Sequence, residues 1–517
     1  MLNWSKYITL PLSLMAYLLV WILLHPYLGY ILDSDAIAYL TIARRVNEDF
    51  QASVNGLWSP LNSWLIAPFI QQGLDAWKVA KALNFIFGAI VIVLVHFLFL
   101  RFQIKKIIYT ILMMALSIAM VYFVYFQMFG DVLQLIFVIL YLFVLWSKPF
   151  KSNYIHSILC GVIMGIGFYA KAYSLFFFII HFGLSLYWFY RHQKISFNRA
   201  IISYSLGIIF IFILIFPWTY ALHNKYGGWP ITGHAGKLNM SWYINSGKTF
   251  NSDIKLLIPP SYNDSPSFWE DPYPSQTNLS SPTSSFNHFI KWMARVAHTL
   301  LITVQCYNEI SFLGLAILLV SLFYFFYRKS KGSNNDDDFY NQLIIITILV
   351  LPLGYWMMHI ETRYIWLNVF LLMTLGGVLI EQFKEKINSR IYVLTVFVFS
   401  LSFLITPILG FESLKYKNKD LFEYAQSLKK HGIQGKFTSN AIDAGRMWVI
   451  AYLSNSSFYT IERNDYSLDE LLIEMKRYGI QYFVYQSENN KPNIALDSLH
   501  FKFVYKYEGY DLYQIIN

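Results

Sequence analysis

A series of apolar runs, each close to twenty residues long, restricts this chain to one class of fold. The first extends from about position 7 to position 31, and similar runs recur as far as about position 409. A helix needs about 20 apolar residues to cross the hydrocarbon core of a bilayer. Of the 517 residues, 56% are hydrophobic and only 14% are charged, which is too apolar for a soluble protein of this length. The sequence predicts a polytopic α-helical membrane protein.

The apolar runs predict eleven transmembrane helices. We expect spans near 8–30, 80–100, 107–126, 131–147, 155–170, 174–190, 200–220, 308–327, 343–358, 365–381 and 391–409. The first run is too long for a signal-peptide core and lacks a small-residue cleavage site before Asp33. We therefore expect it to be retained as a span.

Short basic connections set the predicted orientation. They fall at alternate connections, at 101–106, 147–151, 191–199, 328–331 and 384–390. The positive-inside rule places them in the cytoplasm. The chain is thus expected in the cell inner (plasma) membrane, with loops 31–79 and 221–307 and the C-terminal tail on the extracytoplasmic side. The basic residues account for the net charge of +10, so nucleic-acid binding is not expected.

The composition changes at about position 410, which predicts two domains, residues 1–409 in the membrane and 410–517 outside it. The tail has two helical patterns, each ending in a glycine, and five short strand-like segments, which predict a soluble α/β domain. Before the eighth span, "FNHFIKWMARVAHTLLITV" is amphipathic and is expected to lie along the membrane interface.

Ionisable residues gather in the extracytoplasmic connections. They are Asp33, Asp35, Arg44, Arg45, Lys78 and Lys81 in the first loop, Lys171 after the fifth span, His223, Lys225, His234 and Lys237 after the seventh, and His359, Glu361 and Arg363 before the tenth. Charges at a membrane face are costly unless they have partners, so such a cluster indicates a functional site. Acids and bases converging from separate connections have the chemistry to hold a phosphate beside a general base.

Four stretches and one short motif resemble a known family. The stretches are "DAIAYLTIARR" (35–45), "NGLWSPLNSWLIAPF" (55–69), "GVIMGIGFYAKAYSLFFF" (161–178) and "PWTYALHNKYGGWPITGHAGKLNMSWYINSG" (217–247); the motif is "ETRY" (361–364). In this order, on one side of the membrane, they resemble the C-class glycosyltransferases that use polyprenyl-phosphate sugars. The likeness is to the bacterial branch related to protein O-mannosyltransferases and aminoarabinose transferases.

The resemblance implies transfer of a sugar from a polyprenyl-phosphate carrier to a lipid, glycan or protein acceptor, usually with inversion at the anomeric carbon. Asp35, four residues before Tyr39, aligns with the family's catalytic aspartate and is expected to act as general base. Relatives commonly have Asp-Glu at this point. Here Ala36 follows Asp35, and the second acid, Asp33, lies two residues upstream, so a role for it is doubtful.

Asp35 has a structural alternative, because aspartate also caps helix N-termini, although Asp33 and Ser34 are equally able to supply that cap. Local pairing with the two arginines is not expected. On a continuous helix Arg44 falls on the face opposite Asp35, and Arg45 lies on a different face; both are about 13 Å or more along the axis.

Four cations are candidate ligands of the donor phosphate: Lys171, Arg363, Arg44 and Arg45. The alternative for Lys171 and for the two neighbouring arginines is snorkelling to the membrane interface, and Arg363 is also placed to pair with Glu361. The candidate substrate pocket comprises Tyr39, Trp58, His359 and Glu361. For Trp58, a place in the aromatic belt is the alternative to stacking on a sugar.

No metal site is predicted, because His359 and Glu361 have no third ligand nearby in the sequence. No cofactor is expected, although a divalent cation is not excluded; the partners expected are the lipid-linked donor, the acceptor and membrane lipids. Two other functions stay open: a transporter or flippase of lipid-linked sugars, and a glycan polymerase or ligase. A transporter would carry charges deep within its spans, whereas the acids here lie at span edges.

Overall fold

The fold was analysed in a computed structural model that describes residues 4–102, 104–126, 130–244, 256–273, 279–330, 336–441, 443–462, 466–486, 500–507 and 509–516. Helices dominate these residues. From the N-terminus they are α1 (Trp4–Leu28), α2 (Ser34–Glu48), α3 (Phe50–Ser53), α4 (Leu61–Gln71), α5 (Ala76–Phe99), α6 (Lys106–Phe126), α7 (Asp131–Leu145), α8 (Ile155–Ala170), α9 (Tyr173–Arg191), α10 (Phe197–Tyr226) and α11 (Ala235–Ile244). They continue with α12 (Phe286–Ile310), α13 (Gly314–Ser330), α14 (Asp336–Val350), α15 (Leu353–Trp356), α16 (Leu367–Phe383), α17 (Ser389–Ser402), α18 (Ile405–Leu414), α19 (Lys419–Lys430), α20 (Ala444–Ser454) and α21 (Leu468–Tyr478).

The membrane-spanning part follows the predicted apolar runs. Among the described residues, eight segments are long and apolar enough to cross a bilayer; they contain α1, α5, α6, α9, α10, α14, α16 and α17. Helices α7 and α8 are shorter apolar helices, and the pair α12–α13 meets the criterion only when taken together. These eleven segments coincide in order with the eleven predicted spans, which confirms a polytopic helical membrane protein.

Helices α12 and α13 are bent by 101° across the short break between them. Ser285 begins α12 by accepting a hydrogen bond from the backbone N–H of His288, and Ser311 ends it. The predicted amphipathic helix is thus confirmed. It continues to Ile310, so the eighth span starts at Gly314 rather than near 308. A helix nearly perpendicular to the span that follows it is suited to lie along the membrane surface.

Helices α8 and α10 approach each other closely through two glycines. A Cβ atom on Gly161 of α8 would lie 2.3 Å from the carbonyl oxygen of Gly207 on α10. Small residues allow this backbone approach, which strengthens packing between membrane helices. The contact holds the helix that ends immediately before Lys171.

The C-terminal part forms a six-stranded sheet with strand order β1-β3-β2-β4-β6-β5. Its strands are β1 (Leu257–Ile258), β2 (Lys436–Ser439), β3 (Ser457–Ile461), β4 (Tyr482–Gln486), β5 (Phe501–Tyr507) and β6 (Tyr510–Ile515). Strands β2, β3 and β4 are parallel, and the other pairings are antiparallel. The five predicted strands are confirmed. Sequence analysis missed β1, which comes from the loop after the seventh span, and helix α20.

Helix α2 and the C-terminal sheet region share one hydrophobic core. Ala36 and Leu40 of α2 are buried in the same cluster as Tyr424, Met447 and Ile450 of the C-terminal helices. The C-terminal region therefore lies on the side of the membrane that carries Asp35, called here the loop side. Helix α18 crosses the expected domain boundary at 409/410 and ends at Leu414, and α19 begins at Lys419.

Candidate active site

Asp33, not Asp35, caps helix α2. The Oδ1 atom of Asp33 accepts a hydrogen bond of 2.7 Å from the backbone N–H of Ala36, and its backbone is extended as an N-cap requires. The capping alternative for Asp35 is therefore wrong. Burial and the nearby charge of Asp35 raise the pKa of Asp33 to about 6. Asp33 therefore stabilises the start of α2, close to the carboxyl group of Asp35.

Asp35 lies in the first turn of α2 and is held from two sides. The indole N–H of Trp269 donates to Asp35 Oδ1 at 3.2 Å, and Nη2 of Arg363 lies 3.7 Å from Asp35 Oδ2. Burial raises the pKa of this carboxyl above its ordinary value, while Arg363 and Trp269 favour the charged form. Since 28% of the side chain stays exposed, the carboxylate is accessible to a small polar group.

Arg363 is the centre of the charged cluster. It lies in the short 3₁₀ helix Thr362–Ile365, and its guanidinium contacts three carboxylates. The first is Asp35. The second is Glu361, whose Oε2 lies 2.7 Å from Nε of Arg363, and the third is Asp131, whose Oδ2 lies 3.8 Å from Nη1. Burial opposes the charge of Glu361, but a hydrogen bond from His359 and the charge of Arg363 hold the pKa of Glu361 at about 2. An arginine with several acidic partners is fixed in place as well as neutralised.

Lys171 completes the cluster from the end of α8. Its ammonium forms an ion pair with Asp131 and lies 3.8 Å from the centroid of the Tyr364 ring. Burial lowers the pKa of Lys171, and Asp131 opposes that shift. The side chain therefore points into the cluster and does not extend along the membrane surface, contrary to the snorkelling alternative.

Asp131 reaches both cations because of the turn that precedes α7. Gly130 has φ +68°, a backbone conformation that L side chains rarely adopt, and it is the N-cap of this helix. Asp131 is the first helical residue and is buried. The turn thus directs one carboxylate between Lys171 and Arg363, which come from separate connections.

His359 extends the cluster towards the amphipathic helix. Its Nε2 lies 2.9 Å from Glu361 Oε1, and its Nδ1 lies 3.1 Å from the guanidinium of Arg295 and 2.6 Å from the hydroxyl of Tyr243. A guanidinium can only donate hydrogen bonds, so Nδ1 must accept. The contact with Glu361 then uses Nε2 as the donor.

Tyr39 and Trp58 belong to a group of aromatic rings that reaches Asp35 through Trp269. The Trp58 ring lies 5.3 Å from that of Tyr39 and 5.9 Å from that of Trp269, and Trp269 stacks on Trp448 at 5.5 Å. These rings cover one another. Trp58 is thus packed between Tyr39 and Trp269, and its stacking on a sugar stays a prediction.

Arg44 and Arg45 do not join this cluster. Both contact Asp264 at 2.8 Å, through its two carboxylate oxygens, and Arg45 also forms an ion pair with Glu270. The prediction that they do not pair with Asp35 fits this arrangement. Acids of the loop 221–307 pair with both guanidinium groups, so the two arginines hold that loop on α2 and lie apart from the cluster around Asp35. Their contact with a donor phosphate stays a prediction.

Replacing Arg45 with methionine is expected to destabilise the loop. The side chains of Arg45 and Glu270 are only 7% and 2% exposed, and removing one partner leaves the other charge buried. Breaking a buried ion pair costs about 3–5 kcal/mol. Thermal unfolding in detergent should show a clearly lower Tm for Arg45→Met, and limited proteolysis should cut the loop sooner. The paired variant Arg45→Met/Glu270→Gln should recover part of the loss; no recovery would contradict the pairing.

Five other ionisable residues of the loops have separate partners. Lys225 contacts Asp271 at 3.1 Å and donates to the hydroxyl of Tyr262, which pins the loop to the end of α10. His223 stacks on Trp229, and His234 stacks on Tyr273. Lys78 pairs with Asp75, and Lys81 donates to the carbonyl of Gly29. None of these contacts involves Asp35.

An apolar cavity of about 320 Å³ opens beside Arg363. Most of its wall is apolar and comes from α6, α12, α16 and the end of α17, and it includes Phe123, Trp366 and Phe403. Its charged lining residues are Glu361, Arg363 and Glu309. The cavity thus joins a hydrophobic space at the membrane to the charged cluster around Asp35.

The described parts of the chain contain no group of three or more His, Cys, Asp or Glu side chains arranged to hold a metal ion. His359 and Glu361 contact each other, and each also contacts an arginine.

Three residues of the site were missed by the sequence analysis. Asp131 had a recognisable signal, because it is an acid at the edge of an apolar run on the same side as Asp35. Arg295 was assigned only to the interfacial helix. Trp269 had no signal, since it lies in a long polar loop and reaches Asp35 across 234 positions of chain. The last three residues of the motif at 217–247 lie outside the described residues.

Solved structures share this fold across nearly the whole chain. ArnT from Cupriavidus metallidurans matches in its apo state with a TM-score of 0.57 at 10% identity, over 98% of this chain and 97% of ArnT. The same enzyme bound to undecaprenyl phosphate matches with a TM-score of 0.56 at 10% identity, over 97% of both chains. The apo oligosaccharyltransferase of Archaeoglobus fulgidus matches with a TM-score of 0.53 at 11% identity, over 93% of this chain and 70% of that one.

No family model and no curated protein matches the sequence. At 10–11% identity the solved structures establish the fold, which this chain shares with ArnT and with an archaeal oligosaccharyltransferase. The fold implied by the sequence motifs is confirmed.

Proposed function

We propose that this protein transfers a sugar from a polyprenyl-phosphate carrier to an acceptor hydroxyl, with inversion, on the extracytoplasmic side of the membrane. One observation carries the proposal: Arg363 contacts Asp35 and also lines the apolar cavity. A base, a cation for phosphate and a space for an isoprenoid chain thus lie next to one another. The fold shared with ArnT and with an oligosaccharyltransferase supports the same chemistry.

Asp35 acts as the general base. It removes the proton from the acceptor hydroxyl as that oxygen attacks the anomeric carbon of the donor. The bond from this carbon to the phosphate oxygen breaks on the opposite face, and the polyprenyl phosphate departs with the bonding electrons. One carboxylate suffices, because the leaving phosphate needs charge stabilisation more than it needs a proton.

Arg363 and Lys171 stabilise the departing phosphate. Both are half-buried and come from different connections, and Asp131 contacts each of them. Asp131 and Glu361 keep the two cations oriented before the donor binds, which is the preorganisation that favours a developing charge. Since these side chains supply the positive charge, we propose that no metal cofactor is needed.

The apolar cavity receives the first part of the isoprenoid chain. Its wall is mainly aromatic and aliphatic, and its polar part is the charged cluster. One of the solved structures with this fold is that of ArnT with undecaprenyl phosphate bound, which supports a carrier of this class. The acceptor is a lipid, glycan or protein with a free hydroxyl, and the transferred group is a hexosyl or pentosyl unit.

The proposal is tested with the full chain in liposomes. We expect a polyprenyl-phosphate sugar to be consumed slowly by hydrolysis and quickly when an acceptor fraction from the cell envelope is added. Turnover should persist in EDTA. Movement of the lipid-linked sugar across the vesicle bilayer without any transfer would favour a flippase and contradict the proposal. Use of pyrophosphate-linked oligosaccharides instead would favour a polymerase or ligase.

Activity should fall as Asp35 becomes protonated. Because burial raises the pKa of Asp35, the acid limb of the kcat/KM profile should lie above the ordinary aspartate range. Asp33 and Asp35 repel each other when both are charged, so Asp33→Asn should move this limb to lower pH. A pH series of transfer rates for the two proteins measures the shift. An acid limb that moves to higher pH in Asp33→Asn would contradict this electrostatic coupling.

A further inference from the structure

The hydrogen bond from Trp269 to Asp35 joins two distant parts of the chain. Trp269 lies in the one-turn 3₁₀ helix Phe268–Glu270 of the loop after α10, and its indole N–H reaches one oxygen of the carboxylate. The other oxygen faces Arg363. An indole N–H is only a donor, so this contact always favours the ionised carboxylate.

The loop around Trp269 is held on the α2 side. The side chain of Ser267 accepts a hydrogen bond from the backbone N–H of Trp269. The indole N–H of Trp58 donates to the backbone carbonyl oxygen of Trp269 at 3.1 Å. The neighbouring Glu270 is paired with Arg45. These contacts fix the backbone of Trp269 against the first loop.

The indole ring itself is held by the C-terminal region. Trp448 of α20 stacks on Trp269 with 5.5 Å between ring centroids and 21° between planes, and it donates to the hydroxyl of Thr460. The backbone N–H of Phe458 in β3 donates to the carbonyl of Pro266 at 2.9 Å. Strand β1 of the same loop pairs with β3. The sheet thus binds the loop at two points that precede Trp269 in the chain.

We propose that Trp269 is a positioning residue for Asp35 and that the C-terminal region, through Trp448, holds it in place. This inference rests on the proposed function, in which Asp35 is the base. The indole restricts rotation of the carboxylate and leaves the oxygen facing Arg363 free to take the proton. Burial raises the pKa of Asp35, and the hydrogen bond from Trp269 acts against that rise.

The test compares Trp269→Phe and Trp448→Ala with the control Trp229→Phe, which replaces an exposed tryptophan outside the cluster. Trp269→Phe keeps an aromatic ring and removes the donor. Loss of a hydrogen bond to a charged group is expected to change the protonation equilibrium of that group about tenfold. We expect kcat about tenfold lower below the wild-type midpoint pH, recovery as the pH rises, and an unchanged KM for the donor.

Trp448→Ala should also lower kcat below the wild-type midpoint pH. The double variant Trp269→Phe/Trp448→Ala should lose no more activity than Trp269→Phe alone, because both changes act through one contact. Additive losses, or a loss that does not depend on pH, would mean that the tryptophans only stabilise the fold and would overturn the proposal.

A second readout does not depend on turnover. Carbodiimides react with protonated carboxyl groups, so mass spectrometry of residue 35 after labelling across a pH series reports its protonation directly. The labelling midpoint should rise in Trp269→Phe and stay unchanged in Trp229→Phe. An unchanged midpoint in Trp269→Phe overturns the inference even if transfer is observed. A shifted midpoint in a protein that transfers no sugar upholds the positioning role and refutes the proposed function.

Discussion

Asp35→Asn should reduce kcat for sugar transfer by about 10²–10⁴-fold, the usual contribution of a general base. The amide keeps the shape of the carboxylate, and its oxygen can still accept the hydrogen bond from Trp269. It cannot take a proton from the acceptor. Binding of the donor should change little, because Arg363 and Lys171 stay in place. Single-turnover transfer in liposomes measures the rate of the chemical step, and thermal stabilisation by added donor measures donor binding.

Asp33→Asn is the matched comparison, since it removes the other acid of the same helix start. Asparagine is as good an N-cap as aspartate, so α2 should keep its structure. We expect this variant to retain most of its turnover at neutral pH. Transfer by Asp35→Asn at the wild-type rate would exclude Asp35 as base. An inactive Asp33→Asn beside an active Asp35→Asn would assign that role to Asp33.

Arg363→Met should impair both folding and turnover. Its side chain is only 12% exposed and contacts Asp35, Asp131 and Glu361, so its loss leaves three carboxylates close together with Lys171 as their nearest cation. Loss of one member of a buried ion pair costs about 3–5 kcal/mol. We expect a lower Tm and a loss of kcat/KM of at least about 10²-fold, comparable to removal of one transition-state donor.

Two further variants separate stability from catalysis. In the double variant Arg363→Met/Glu361→Gln, the second change removes the charge that the first leaves without its arginine. This variant should recover part of the Tm without recovering sugar transfer. Arg363→Lys keeps the charge but loses the forked donor, so it should fold well and transfer sugar with intermediate efficiency. Recovery of full transfer in the double variant would show that Arg363 serves only the fold.

Much of the fold was accessible from the sequence because the bilayer imposes a length on each apolar run. Alternation of basic connections then placed Asp35, Lys171 and Arg363 on one side, and the structure brings them into one cluster. Their catalytic and binding roles stay predictions. Asp131 lies at a span edge on the same side, but it is the first residue of the predicted span 131–147, so the sequence analysis counted it with the apolar run.

Contacts between residues far apart in the chain could not be predicted from the sequence. Arg44 and Arg45 had the chemistry of phosphate ligands, but Asp264 and Glu270, more than 200 positions away, neutralise them. Strand β1 has two residues and no pattern of its own, because its extended backbone depends on pairing with β3. Such contacts depend on how a polar loop folds over the membrane helices, which local periodicity does not encode.

The shared core of α2 and the C-terminal helices bears on biogenesis. The segments that cover Trp269 and bury Ala36 follow α17 and α18 in the chain, so they leave the ribosome later than those helices. The residues of the charged cluster, up to Arg363, are therefore synthesised before the surroundings of Asp35 are complete. Those surroundings form only when α19 and α20 dock against α2.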